Sequence, residues 1–117
     1  KSFIEKLYRN NFIMFIAIDQ NHGAVGQVRF DLANDEAKVD MSVAKEFRGL
    51  GYGARLIKEA VNLAEKTLKV SIFRAYVKDY NKASIKSFEK AGFFQIGACV
   101  VKGHHATQLV YCSRRNG

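Results

Sequence analysis

The hydrophobic period of this chain changes once, and that change limits the folds open to it. Up to about residue 43 the apolar residues alternate. In Val25 to Leu32, Val28, Phe30 and Leu32 share one face and Gln27, Arg29 and Asp31 the other. Lys38 to Val43 repeats the pattern, with Val39, Met41 and Val43 set against Lys38, Asp40 and Ser42. Before them, Phe12 to Ile18 is continuously apolar and ends at Asp19-Gln20-Asn21-His22-Gly23, a turn signal. Three strands joined by short turns read as an antiparallel meander. From Gly53 to Leu68 the spacing becomes helical: Leu56, Ile57, Ala60, Val61, Ala64 and Leu68 form one stripe. Val70 to Val77 is a β-branched and aromatic strand. Asn81 to Ala91 is a second helix, with Asn81 as N-cap, Ile85 and Phe88 facing inward and Gly92 as the stop. Phe93 to Val101 and Thr107 to Cys112 are two further strands around a Gly103-His104-His105 turn. At the start, Phe3, Ile4, Leu7 and Tyr8 fall at helical spacing, so Ser2 to Asn10 reads as the tail of an amphipathic helix. The fold class expected is α/β, a mixed, mostly antiparallel sheet with a parallel βαβ unit at its centre.

Size and composition narrow the function. At 117 residues the chain suits one domain, burying roughly 65% of its unfolded surface. A hydrophobic content of 48% excludes a disordered chain, and no apolar run approaches the ~18 residues of a membrane span. The net charge of +8 points to an anionic partner. The positive residues are dispersed, however, and alternate with acids on both helices. No nucleic-acid recognition motif accompanies them, so neither nucleic acid nor membrane is the expected partner. Cys99 and Cys112 have no metal spacing and read as small core residues of a cytoplasmic protein. No trio of ligands suggests a metal. The first residue is Lys1, as expected of a C-terminal piece of a longer chain.

The most informative segment is Arg48-Gly49-Leu50-Gly51-Tyr52-Gly53, between a strand and a helix. A helix start leaves N–H groups unpaired and carries about half a positive charge. Glycines let a phosphate approach those groups, and Arg48 adds a cation. The segment therefore predicts a diphosphate site. It is not a P-loop, because Ala54-Arg55 replaces the Lys-Ser/Thr pair. Gly49, Gly51 and Ala54 fit the dinucleotide fingerprint formally, but no acidic residue follows at Ile72 to Ala75.

These residues resemble the GNAT superfamily of acyl-CoA N-acyltransferases. Glu46-Phe47-Arg48-Gly49-Leu50-Gly51-Tyr52-Gly53 looks like its (R/Q)xxGxG/A signature. Asn81-Lys82-Ala83-Ser84 and Phe88-Glu89-Lys90-Ala91-Gly92-Phe93 look like its second signature. The resemblance covers about residues 3 to 112, lacks the family's first strand and first helix, and implies an N-terminally shortened domain spanning the chain. Gly26 to Asp31 with Asn81 to Phe93 is also similar to acetyltransferase domains of pseudaminic acid and spore-coat polysaccharide pathways, where the domain is often fused to a sugar-nucleotide enzyme.

The resemblance implies acetyl-CoA between the strands Lys38–Val43 and Val70–Val77, and an amine acceptor, expected to be a nucleotide-linked amino sugar. It implies that the backbones of Met41, Ser42 and Val43 pair with the pantetheine arm, and that Arg48, Gly49, Leu50, Gly51, Tyr52, Gly53 and Ala54 hold the diphosphate. Asn81, Ser84 and Phe88 would line the arm. Asp40, on the strand presenting the thioester, is the leading proton acceptor, ahead of Asp31 and Glu46. Many family members carry Tyr where Phe88 stands, so Tyr80 or a water would have to protonate the thiolate. Gln27, Arg29, His104 and His105 are expected on the acceptor side. A homodimer is compatible with the resemblance. Two other outcomes stay open: a domain that binds CoA without chemistry, and a basic nucleic-acid binder.

Overall fold

The structure, a computed structural model, describes residues 2–8 and 11–113. Four strands come first: β1 (Ser2–Tyr8), β2 (Phe12–Asp19), β3 (Gly23–Ala33) and β4 (Glu36–Val43). A short 3₁₀ turn at Lys45–Phe47 leads to α1 (Tyr52–Thr67), and then come β5 (Ile72–Lys78), α2 (Lys82–Lys90), β6 (Phe94–Val101) and β7 (His104–Cys112). All seven strands join one sheet in the order β1-β2-β3-β4-β5-β7-β6. Among the described residues only β4 and β5 pair in parallel, across the α1 crossover. The mixed sheet with its central βαβ unit is thus the one expected from the change of period.

Alternation decides which face of the sheet is buried. Ile13, Phe15 and Ala17 of β2 stand beside Phe30, Val28 and Gly26 of β3. Phe30 and Phe73 of β5 meet edge to face, with centroids 5.5 Å apart, over the small Ala37 of β4. On this face lies the α1 stripe of Leu56, Ile57, Ala60, Val61 and Ala64, all buried. Helix α2 adds Ile85 and Phe88, and its Asn81 cap accepts from the Ser84 N–H at 3.2 Å. The opposite sheet face carries Arg29, Asp31, Lys38, Asp40, Arg74 and Tyr76.

Three expectations need correction. Residues 2–8 form a strand against β2, with Ser2 beside Asp19 and Tyr8 beside Ile13, rather than a helix. Their spacing suits either period, and pairing with a ready neighbour decides it. His104 and His105 belong to β7, and the turn is Lys102-Gly103, both at positive φ, as a two-residue hairpin turn requires. Cys99 is only half-buried and Cys112 is exposed. Cys99 lies on β6, an edge strand that the core does not cover, and Cys112 closes β7, so neither apolar run is buried throughout.

Candidate active site

Strands β4 and β5 pair only over Glu36–Lys38 and Ile72–Arg74. Beyond that they part. The first pairs are clamped by the Arg74 guanidinium, which donates to both Glu36 carboxylate oxygens at 3.0 and 3.2 Å and to Gln108 Oε1 at 3.3 Å. These bonds hold the Glu36 carboxyl below the usual glutamate range and raise Arg74. The parted ends enclose a cleft of about 180 Å³ lined by Val39, Asp40, Met41, Tyr76, Val77, Lys78, Tyr80, Asn81, Ser84 and Phe88.

The backbone of β4 has a directional consequence there. The Ala44 N–H donates to Val25 O at 2.8 Å. Antiparallel alternation then turns the backbone groups of Ser42 and Asp40 toward β3, and those of Met41 and Val43 toward the gap. Met41 and Val43 therefore turn backbone groups to the gap, whereas the N–H and C=O of Ser42, expected beside them, face the β3 ladder. The Val43 carbonyl accepts from Arg48 Nε at 3.0 Å, so Arg48 ties the glycine segment to the end of β4.

Helix α1 begins at Tyr52 with Gly51 as N-cap, at φ 83°, and no side chain caps it. Its first turn holds no acidic residue. The first N–H groups are thus left to a ligand or water, at the positive end of a helix of 16 residues. Gly49 and Gly51 both have positive φ, and a Cβ on either would meet nothing within 4 Å. The space above the helix end is open. Gly53 serves packing instead: a Cβ there would stand 2.7 Å from Ser87 Oγ and 3.3 Å from Met41 Cε. That close approach also joins the helix start to the cleft through Met41.

Sequence reasoning missed what braces this loop. Phe47 stacks edge to face on His22, at 5.2 Å, and on Tyr52, at 5.4 Å. His22 Nδ1 lies 3.2 Å from the Asp19 carboxylate, and the Asn21 N–H and His22 together keep Asp19 below the usual carboxylate range. The β2–β3 turn thus leans on the glycine segment. Only its aromatic content hinted at this.

On the open face Asp40 stands opposite Arg29 in the ladder. Arg29 is engaged elsewhere: it bonds Asp31 at 3.0 Å and covers the Phe12 ring at 4.0 Å. Among the described residues none bonds or ion-pairs with the Asp40 carboxylate. Arg29 and Asp31 are therefore set as a pair beside the cleft, while Gln27 lies further along β3, opposite Ser42, and Glu46 is exposed on the 3₁₀ turn, outside the cleft lining. Phe88 is 2% exposed and packs on Phe93, so it offers the cleft an apolar wall. Tyr80, 69% exposed, lies on the cleft with its ring against His104. His105 lies outside the lining. Lys78 and Tyr76 line the cleft and were not singled out from sequence.

A split strand pair beside an uncapped helix start is a seat for a long molecule with a diphosphate at one end. Known proteins are similar to this chain. The chain is 30% identical over 90 residues to YwnH of Bacillus subtilis (strain 168), named provisionally as a phosphinothricin acetyltransferase. That match takes in 72% of this chain and 55% of the relative, so the chain spans about half of its length. Spermidine N-acetyltransferase from Vibrio cholerae, solved in complex with CoA and spermine, superposes with a TM-score of 0.78 at 20% identity, over 89% of this chain and 67% of that one. Ribosomal-protein-S5-alanine acetyltransferase from Vibrio fischeri does so with a TM-score of 0.82 at 18% identity, over 90% and 63%. At such identities these two structures speak for the fold. The sequence profile of the Acetyltransferase (GNAT) family matches residues 2–93, from β1 past the glycine segment to the end of the second signature, and the chain belongs to that family.

Proposed function

We propose that this chain is an acetyl-CoA-dependent N-acetyltransferase and that its acceptor is the primary amine of a nucleotide-linked amino sugar. The parting of β4 from β5 beside the uncapped start of α1 is the observation that carries the reading. Acetyl-CoA, when bound, supplies a thioester whose carbonyl carbon can accept an amine. The N–H groups of Gly49 to Ala54 receive its diphosphate, with the Arg48 groups not used on Val43 beside them. Met41 and Val43 pair with the pantetheine arm as an added strand, and Asn81 and Ser84 border it. An N–H of this stretch polarises the carbonyl, a contact worth roughly 3 kcal/mol where such donors have been removed.

The chain's side chains then handle protons. The amine must be neutral to attack, and Asp40, without an ion partner, accepts its proton as the C–N bond forms and the C–S bond breaks. Phe88 has no proton to give a leaving thiolate, which an ordinary pKa of ~8.5 makes tolerable, and Tyr80 or a water would supply one.

Charge supports an acceptor that carries phosphate. Lys38 and Lys78 share the open face with Asp40, where Arg29 and Arg74 are paired with Asp31 and Glu36. A polyamine would meet a chain of net charge +8, whereas a nucleotide sugar is drawn to it. Titration calorimetry with acetyl-CoA tests the reading, using Gly51→Glu for repulsion and Gly51→Ala to account for strain at φ 83°. We expect binding that Gly51→Ala weakens and Gly51→Glu abolishes, then thiol release with amino-sugar nucleotides in preference to spermidine. Absence of binding by the folded chain would sink the enzyme reading. Binding without turnover on any amine would leave a CoA-binding domain.

A further inference from the structure

An enzyme that acetylates amines has reason to keep lysine out of its own cleft, yet Lys78 lines this one together with Asp40. Lys78 is the last residue of β5. Alternation turns Phe73, Ala75 and Val77 into the core and leaves Lys78 half-buried on the open face. Its backbone is pinned. The Lys78 carbonyl accepts from the Asn81 N–H at 2.9 Å, and the Asp79 N–H donates to His105 O at 2.9 Å. The neighbouring carboxylate, on Asp79, already accepts from the Thr107 hydroxyl at 2.8 Å. Among the described residues no carboxylate ion-pairs with the Lys78 amine, and no other lysine lines the cleft. An unpaired amine and an unpaired carboxylate thus stand in the gap where β4 and β5 part.

We propose that Lys78 is a self-acetylation site: with acetyl-CoA seated and no acceptor present, the chain transfers the acetyl group to its own Lys78 Nζ. This rests on the acetyl-CoA seat proposed above and not on the identity of the acceptor. The Lys78 ammonium first releases a proton to water. Its nitrogen lone pair then forms the N–C bond to the thioester carbonyl carbon, and the C–S pair leaves with the sulfur as the CoA thiolate. The second proton of the attacking nitrogen passes to Asp40 and on to water. Acetyl-CoA is the sole co-reactant, and nothing is oxidised or reduced. The exposed lysines of the helices have neither the seat nor a carboxylate of the cleft beside them, which is why the transfer selects Lys78. The amide formed carries no charge, so the open face loses one of its cations.

The test incubates the purified chain with acetyl-CoA and no acceptor, and follows acetyl groups by intact-mass and peptide-mapping mass spectrometry. Calorimetry with desulfo-CoA, which has no acetyl group to give, measures binding, and circular dichroism confirms that each variant is folded. We expect one acetyl group, at Lys78, gained at a fractional rate independent of protein concentration. Lys78→Arg and Gly51→Glu should abolish it, and Asp40→Asn should slow it roughly 10²-fold. A second readout involves no transfer. Desulfo-CoA should shield Lys78 from trinitrobenzenesulfonate, an amine-labelling reagent, while Lys69, exposed just before β5, stays reactive. Desulfo-CoA binding with Lys78 unmodified by acetyl-CoA overturns this proposal and leaves the cofactor seat standing, whereas absence of binding overturns both. Acetylation that spreads over the exposed lysines, or that survives Gly51→Glu, is solution chemistry and overturns it. So does a fractional rate that rises with protein concentration, since one copy would then be acetylating another.

Discussion

Asp40 shows how the bonds one residue makes decide what its neighbour is free to do. Cross-strand position alone would join it to Arg29. Arg29 bonds Asp31 instead, at 3.0 Å, and leaves the Asp40 carboxylate at the cleft without an ion partner among the described residues. Asparagine has nearly the same shape but cannot take up a proton. Asp40→Asn is therefore expected to lower kcat by roughly 10²–10⁴-fold, the range of a lost general base. Affinity for acetyl-CoA should hold. Steady-state kinetics, with calorimetry alongside, check it. An unchanged kcat would move the proton to water. Phe88 makes the converse point. Buried against Phe93, it shapes the wall and brings no hydroxyl, so proton return falls to groups the second signature does not name.

At the scale of elements, the cleft exists because β4 and β5 are held together at one end only. The Arg74–Glu36 bonds sit at that end. The Glu36 carboxyl is held below its ordinary value first by the Arg74 hydrogen bonds, while in the unfolded chain it returns to that value. Its contribution to stability is thus fully present above the ordinary glutamate value and is lost as pH falls through the lowered one. Both side chains are partly exposed, so the effect is small. Thermal melts should show Glu36→Gln less stable than wild type near neutral pH, with the gap closing in acid. A gap that stayed constant would mean that the clamp is packing, not charge. Elements of this kind were legible in sequence wherever one period held for long enough. The α1 stripe and the alternation of β3 and β4 came through with ends displaced by a residue or two. Ser2–Tyr8 did not, because Phe3, Ile4, Leu7 and Tyr8 suit both periods and long-range pairing with β2 settled the matter. His104 and His105 were misplaced for the same reason: Val100 and Val101 pair with them and draw them into the ladder.

At the scale of the whole molecule, the outline of the candidate site was legible because its two signatures are local. Arg48 to Gly53 and Asn81 to Phe93 each fit in one stretch of chain. The pieces that complete it come from distant parts of the chain, and no spacing announces them: Tyr76 and Lys78 across the gap, His22 and Phe47 under the loop, and the close approach of Gly53 to Ser87. Charge is also a property of the whole. Nineteen basic and eleven acidic residues leave +8, to which Lys38 and Lys78 contribute on the open face beside Asp40, where Arg29 and Arg74 are paired with Asp31 and Glu36. Exposed charges attract an anionic acceptor over a Debye length of about 10 Å at 0.1 M salt, and less as salt rises. At saturating acetyl-CoA, KM for an amino-sugar nucleotide should therefore climb with ionic strength while kcat stays level. KM for the same amino sugar without its nucleotide should start higher and hardly move. Initial rates across a salt series measure both. A salt-independent KM for the nucleotide form, or a lower KM for spermidine at low salt, would mean that the open face does not recognise phosphate and that the acceptor belongs to another class of amine.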